Sequence, residues 1–274
     1  MKTYKEITED FALRGIPTNA PNFYDHPNFI LAERLNPNYL NNSAFFVASQ
    51  PYSEEYLKQA ETIITKAATL LHKHLKENGR QGACVDITGI LSRILEKHGV
   101  WCASIKGSCT VEFPPSSNEE ATYFWSVDNR EFTAGHSWLF APPFNIVDIT
   151  IGEQAYSGKK KKYMPKLILA KGGTNSTAEI EDIISPTAIS DMQRQGIPRT
   201  RLLESGVSQM EEVQRFFPVK IVESYKGVSF KFCPVAIHAS EEPLEGFKNM
   251  DFKGKAPYKL YKKYFEKSIG FIYA

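Results

Sequence analysis

Four cysteines and six histidines are the side chains of this 274-residue chain best suited to nucleophilic or acid–base chemistry: Cys84, Cys102, Cys109 and Cys233, with His26, His72, His74, His98, His136 and His238. The cysteines are too few and too irregularly spaced for a disulfide framework, and no Cys-x-x-Cys pair suggests zinc. They read as reduced thiols. Cys102 and Cys109 lie in a strand-like run and Cys233 closes another before Pro234, positions usual for small buried hydrophobes. Cys84 differs, because Gly82-Ala83-Cys84-Val85-Asp86-Ile87 puts it within a residue or two of a helix start. Unpaired backbone N–H groups and the positive end of the helix dipole favour an ionised thiol there. A buried, inert cysteine is the competing reading, so the assignment depends on partners.

A cysteine nucleophile needs a base that titrates near neutrality, which points to histidine. His72 and His74 stand two apart on a predicted helix and share no face. His98 reads as a helix cap, and His26 and His238 have loop-like neighbours. His136 stands inside an apolar run, Gly135-His136-Ser137-Trp138-Leu139-Phe140, on one face with Trp138 and Phe140. The next run, Asn145-Ile146-Val147-Asp148-Ile149-Thr150, buries an acid among branched apolar residues, where an unpartnered carboxylate would be costly. If Ala141-Pro142-Pro143 is a tight connection, the two strands pair antiparallel with Asp148 directly opposite His136. The acid would then fix one imidazole nitrogen and leave the other for a thiol. A satisfied core histidine is the alternative to this reading.

Positioning these groups requires a helix on a sheet. Ser53-Glu54-Glu55 opens a long helix to about Lys76, with apolar residues at three- and four-residue spacing. A second helical stripe, Ile87, Ile90, Leu91, Ile94 and Leu95, runs to Lys97-His98, with Gly99 as its left-handed stop. Strand-like runs follow at about 100–113, 120–128, 133–140, 145–151 and 165–170. Beyond Gly172-Gly173, which reads as a turn, helices are expected at about 186–195 and 207–216 and strands at about 218–225 and 228–237. The Asn- and Pro-rich beginning allows short helices near 4–13 and 27–35. The resulting division is an N-terminal extension (1–52), a catalytic core (53–170) and a C-terminal α/β extension (171–274).

Gly82-Ala83-Cys84-Val85-Asp86 heading a helix that ends in His98-Gly99-Val100, then Gly135-His136-Ser137-Trp138 and Ile146-Val147-Asp148-Ile149-Thr150, resembles the transglutaminase-like superfamily. The resemblance covers roughly residues 55 to 151. It implies an α+β fold with a papain-like core, in which a nucleophile helix packs on an antiparallel sheet. It also implies Cys84 as nucleophile, His136 as general base and acid, and Asp148 as orienter. Gln81 is a candidate oxyanion donor beside the backbone N–H of Cys84, and Trp138 a candidate wall of the site. The basic residue that often follows the core helix in that superfamily has no match at Ala103-Ser104.

The implied activity is acyl transfer from an amide of a peptide or protein through a thioester, as a protease, amidase or transamidase. Arg80-Gln81-Gly82-Ala83-Cys84-Val85-Asp86 also resembles, more distantly, the arylamine N-acetyltransferase motif, and a non-catalytic binding module on the same fold is a third reading. No metal or cofactor is called for.

Composition narrows the partners. With 33 basic and 31 acidic residues the net charge is +2, which offers no field for nucleic acid or an anionic membrane. Lys159-Lys160-Lys161-Lys162 reads as a solvated loop, and Trp101 and Trp125 as sheet or core residues. No secretory leader and no apolar run of about 20 residues is present, so a cytoplasmic location is expected.

Overall fold

The computed structural model describes residues 2–128, 131–132, 135–240, 242–248 and 250–272. The first segment folds into α1 (Tyr4–Leu13), α2 (Pro27–Leu35) and α3 (Asn41–Ser49). Helix α4 (Glu54–Asn78) begins where Ser53 accepts the Tyr56 N–H and ends at Gly79 with φ +72°. Helix α5 runs Cys84–Lys97 and closes as expected at Gly99, φ +78°. The Gly99 N–H donates to Glu96 and the Val100 N–H to Leu95, a Schellman stop. His98 is no cationic cap, however: it is fully buried, burial lowers its pKa, and Nδ1 lies 2.7 Å from the Gly270 carbonyl.

The strands are β1 (Ala103–Glu112), β2 (Thr122–Phe124), β3 (Val127–Asp128), β4 (Glu131–Phe132), β5 (His136–Ala141), β6 (Phe144–Asp148), β7 (Ile168–Ala170), β8 (Thr174–Asn175), β9 (Lys220–Glu223) and β10 (Ser229–His238). Positions 133–134 of the expected 133–140 strand lie outside the described residues. Between β8 and β9 come α6 (Ile180–Ile183), α7 (Pro186–Arg194), α8 (Leu202–Gly206) and α9 (Met210–Phe216), and α10 (Pro257–Tyr264) follows β10. The main sheet is antiparallel, in the order β7-β6-β5-β1-β10-β9-β8, with β2 also on β1; β3 and β4 form a separate ribbon. The fold is therefore mixed α+β.

The three expected segments are interleaved in this architecture. β10, from the supposed C-terminal extension, sits in the middle of the sheet and pairs with β1 from Ser104↔His238 to Glu112↔Ser229. On one face, α4, α5 and α10 pack Ile64, Leu71, Ile90 and Leu260 against Leu139 and Val147. On the other, the N-terminal helices bring Phe11, Phe23, Phe45 and Phe46 toward Trp138, Ile146 and Phe232. Each layer covers a sheet face whose alternate residues are apolar.

Arg93 on α5 joins the layers. Its side chain, 4% exposed, uses five N–H donors: two on Asp25, one on Glu96, and one each on the carbonyls of Ser240 and Glu242. Tyr24 donates to the other Glu96 oxygen at 2.5 Å. One residue thus ties the N-terminal segment, helix α5 and the chain after β10. Arg93→Met leaves the Glu96 carboxylate buried without its cation, and equilibrium urea unfolding should show a loss of about 3–5 kcal/mol. Arg93→Lys should not restore it, because an ammonium cannot serve a planar five-donor fork.

Candidate active site

Strand β5 delivers His136 and β6 delivers Asp148 to the same face of the sheet, although not in the expected register. Pro142-Pro143 forms a two-residue connection closed by Ala141 opposite Phe144. Continued regularly, that register would put His136 and Asp148 on opposite faces. An extra residue in β6 intervenes, so that Leu139 stands opposite Val147. Asp148 is therefore level with Trp138 and diagonal to His136. The bulge restores the shared face that the turn alone would have destroyed.

His136 and Asp148 are both buried, at 0% and 1% exposure. The Nε2–H of His136 donates to Asp148 Oδ2 over 2.6 Å. Asp148 Oδ1 accepts three more bonds: the Thr150 N–H at 2.8 Å, the Thr150 hydroxyl at 3.0 Å and the Ile151 N–H at 3.0 Å. Thr150 and Ile151 enter this site through backbone geometry that sequence reading did not assign. Burial opposes the charged form of both partners. It is outweighed at Asp148, whose pKa is lowered, by the His136 charge and hydrogen bond and by Thr150. It is outweighed at His136, whose pKa is raised, by the Asp148 charge and hydrogen bond and then by the Cys84 sulfur. Both shifts run toward the charged forms, a cationic His136 and an anionic Asp148.

Cys84 occupies the first turn of α5 and is 7% exposed. The Thr88 hydroxyl, one turn on, donates to the Ser137 carbonyl at 3.2 Å, which seats the start of the helix against β5 beside His136. Among the described residues the Nδ1 of His136 has no partner that meets hydrogen-bond geometry, and the Cys84 thiol lies near enough to be among the groups that favour the protonated imidazole. Phe124, Trp138 and Phe232 surround the ring at centroid distances of 5.7, 6.2 and 6.3 Å. Gly107 faces His136 across β1 and β5. A Cβ there would meet the Cys233 carbonyl oxygen at 2.1 Å and the Trp138 ring at 2.7 Å, so only glycine fits.

The remaining candidates separate clearly. Trp138, 1% exposed, is core beneath the imidazole and is no open wall of the site. Gln81 is exposed on the loop before α5. His72 is not a polar helix-end position, since it is buried with Nδ1 3.1 Å from the Ile149 carbonyl. His238 lies at the end of β10, with Nε2 2.7 Å from Ser137 Oγ, and is not in a loop. Burial pushes the thiols of Cys102 and Cys109 well up and that of Cys233 to about 12, so these three are poor nucleophiles at neutral pH.

Among the described residues no cluster of three His, Cys, Asp or Glu side chains is arranged to hold a metal ion, and no helix is long and apolar enough to cross a membrane. The chain matches no protein-family model, and neither curated proteins nor solved structures give a significant match.

Proposed function

We propose that this protein is a cysteine-nucleophile acyl-transfer enzyme that hydrolyses a peptide or side-chain amide, built on a transglutaminase-like core. The observation that carries the reading is the buried His136–Asp148 pair, bonded through Nε2 with no Nδ1 hydrogen bond among the described residues, beside a cysteine at a helix start. Only one of the four thiols has such a neighbour.

In the proposed reaction the Cys84 sulfur attacks the amide carbonyl carbon. The negative charge that develops on the carbonyl oxygen is met by the backbone N–H of Cys84, one of the donors a first helical turn leaves free. Collapse breaks the C–N bond as His136 gives its Nδ1 proton to the departing nitrogen, leaving a thioester on Cys84. Water then attacks the thioester, losing a proton to His136, and the acid product and the thiol are released. Asp148 holds the ring and stabilises its cationic form throughout. An amine in place of water would give transamidation by the same steps.

The test is the second-order rate of iodoacetamide alkylation at pH 7, with the modified residue located by mass. Cys84 should react several-fold or more faster than an exposed model thiol, while Cys102, Cys109 and Cys233 stay unmodified until the protein unfolds. A Cys84 rate no greater than that of the model thiol would reduce the fold to a binding module.

A further inference from the structure

We infer that His72 of α4 is a positioning residue for Asp148: it fixes a peptide group that holds the carboxylate, and through it the aim of the His136 ring. That this aim serves a thiol rests on the proposed acyl chemistry; the positioning itself does not.

The Asp148 carboxylate is steered by backbone. Its Oδ1 accepts the N–H groups of Thr150 and Ile151 as well as the Thr150 hydroxyl, so Oδ2 points at His136 only as firmly as the turn after β6 is held. A peptide group is planar, and pinning its carbonyl therefore pins its N–H. The Ile149–Thr150 peptide is bonded at both ends in this way: its N–H lies 2.8 Å from Asp148 Oδ1, and its carbonyl accepts from His72 Nδ1 at 3.1 Å. A carbonyl can only accept, so Nδ1 carries the proton. The next peptide repeats the pattern, with the Ile151 N–H on Asp148 and the Thr150 carbonyl on Gln154 Nε2 at 3.2 Å. Beyond it the Ile151 carbonyl accepts from the Tyr156 hydroxyl at 2.8 Å, and the Gly152 carbonyl from Lys161 Nζ. Four consecutive carbonyls thus each receive a side-chain donor, while two of the N–H groups between them converge on one carboxylate. Lys161 is therefore not merely a solvated member of the lysine run.

His72 is the member that ties this turn to the rest of the molecule. Gln154, Tyr156 and Lys161 lie 4, 5 and 9 residues from the carbonyls they bind, whereas His72 reaches across 77. Helix α4 packs Leu71 and Leu75, beside His72, into the core shared with α5 and with the Ile149 side chain. One helix therefore backs both the element that carries Cys84 and the turn that aims Asp148. An apolar side chain at position 72 would suit that core, but it would leave the Ile149 carbonyl without its donor. The far nitrogen, Nε2, stands 3.9 Å from Glu153 Oε1, and Lys161 holds the other Glu153 oxygen at 2.8 Å. The ring is thus set against both ends of the turn.

The experiment uses the full-length protein with ¹⁵N-labelled histidine and reads the His136 Nε2–H proton at pH 7. In His72→Leu this resonance should move upfield of its wild-type place, and its exchange with water should quicken about tenfold, the equivalent of one hydrogen bond. His72→Met repeats the substitution with a more adaptable shape should the leucine variant not fold. His72→Asn, whose amide nitrogen falls about where Nδ1 lies, should keep the wild-type resonance. Leu71→Ala, which opens a cavity on the same helix without removing a hydrogen bond, should lower stability and leave the resonance in place. Labelling of Cys84 by iodoacetamide adds a chemical readout. It should be about tenfold or more slower in His72→Leu, given the cost of displacing a reacting group by about 1 Å, and within a few-fold of wild type in His72→Asn. An unmoved resonance in the donorless variant, an equal displacement in Leu71→Ala or His72→Asn, or unchanged labelling where wild-type Cys84 reacts fast would overturn the inference. A wild-type Cys84 no faster than an exposed thiol would sink the acyl-transfer reading alone, since the proton resonance judges His72 without it.

Discussion

Asp148→Ala should lower the unfolding free energy by about 3–5 kcal/mol, the usual result of deleting one partner from a buried ion pair. The substitution strands His136 Nε2–H, the Thr150 N–H and hydroxyl, and the Ile151 N–H, all of which donate to that carboxylate. Asp148→Asn keeps the volume but not the acceptors. An amide oxygen turned to His136 aims the NH₂ at three donors, and the opposite orientation aims it at Nε2–H, so a milder loss of about 1–3 kcal/mol is expected. The pH dependence follows from the two shifts. His136 is raised above 6.5, so its contribution is complete below that value and is lost as pH rises through the elevated one. Asp148 is lowered below 3.8, so its contribution is complete above that value and is lost as pH falls. Urea titrations of wild type and Asp148→Asn should differ most between those limits and converge as pH climbs from 7 toward 10. A difference that grows with alkalinity would mean that the pair is not an ion pair.

His136→Gln should reduce turnover of any amide the wild-type protein cleaves by about 10²–10⁴-fold, the span attributed to a positioned acid–base group. Glutamine separates chemistry from stability, because its side-chain N–H can still donate to Asp148 while nothing remains to exchange a proton with sulfur. The urea midpoint should therefore move much less than in Asp148→Ala, and iodoacetamide should label Cys84 no faster than an exposed thiol. Turnover within a few-fold of wild type would remove His136 from the mechanism.

The His136–Asp148 pair was legible in the sequence because each member needed the other: an acid among Ile146, Val147 and Ile149 demands a partner, and His136 stands in the apolar run just before it. Its register was not legible. Whether Pro142-Pro143 makes a loop of one residue or two, and whether β6 bulges near Asn145, are decided by packing on both sheet faces, and the two departures happen to cancel. Helix α3 went unread because it is buried nearly all round, which erases the amphipathic stripe. The central position of β10 had no local signature, since pairing between residues so far apart in the chain depends on tertiary contacts. His238 was misread for the same reason: its sequence neighbours Ala239 and Ser240 look like a loop, and the partner that defines it, Ser137, is remote.

The place of β10 also sets a clock. A ribosome releases Cys84, His136 and Asp148 well before it releases Phe232, which packs against the His136 ring and the Trp138 indole. At ordinary elongation speeds the gap is on the order of ten seconds. Throughout it, β1 carries an open edge, the kind of surface that chaperones cover and neighbouring chains invade. The His136–Asp148 pair is synthesised early but packed late, so a truncated or stalled chain ending before residue 229 lacks part of the aromatic wall of that pair and leaves a strand edge open to aggregation.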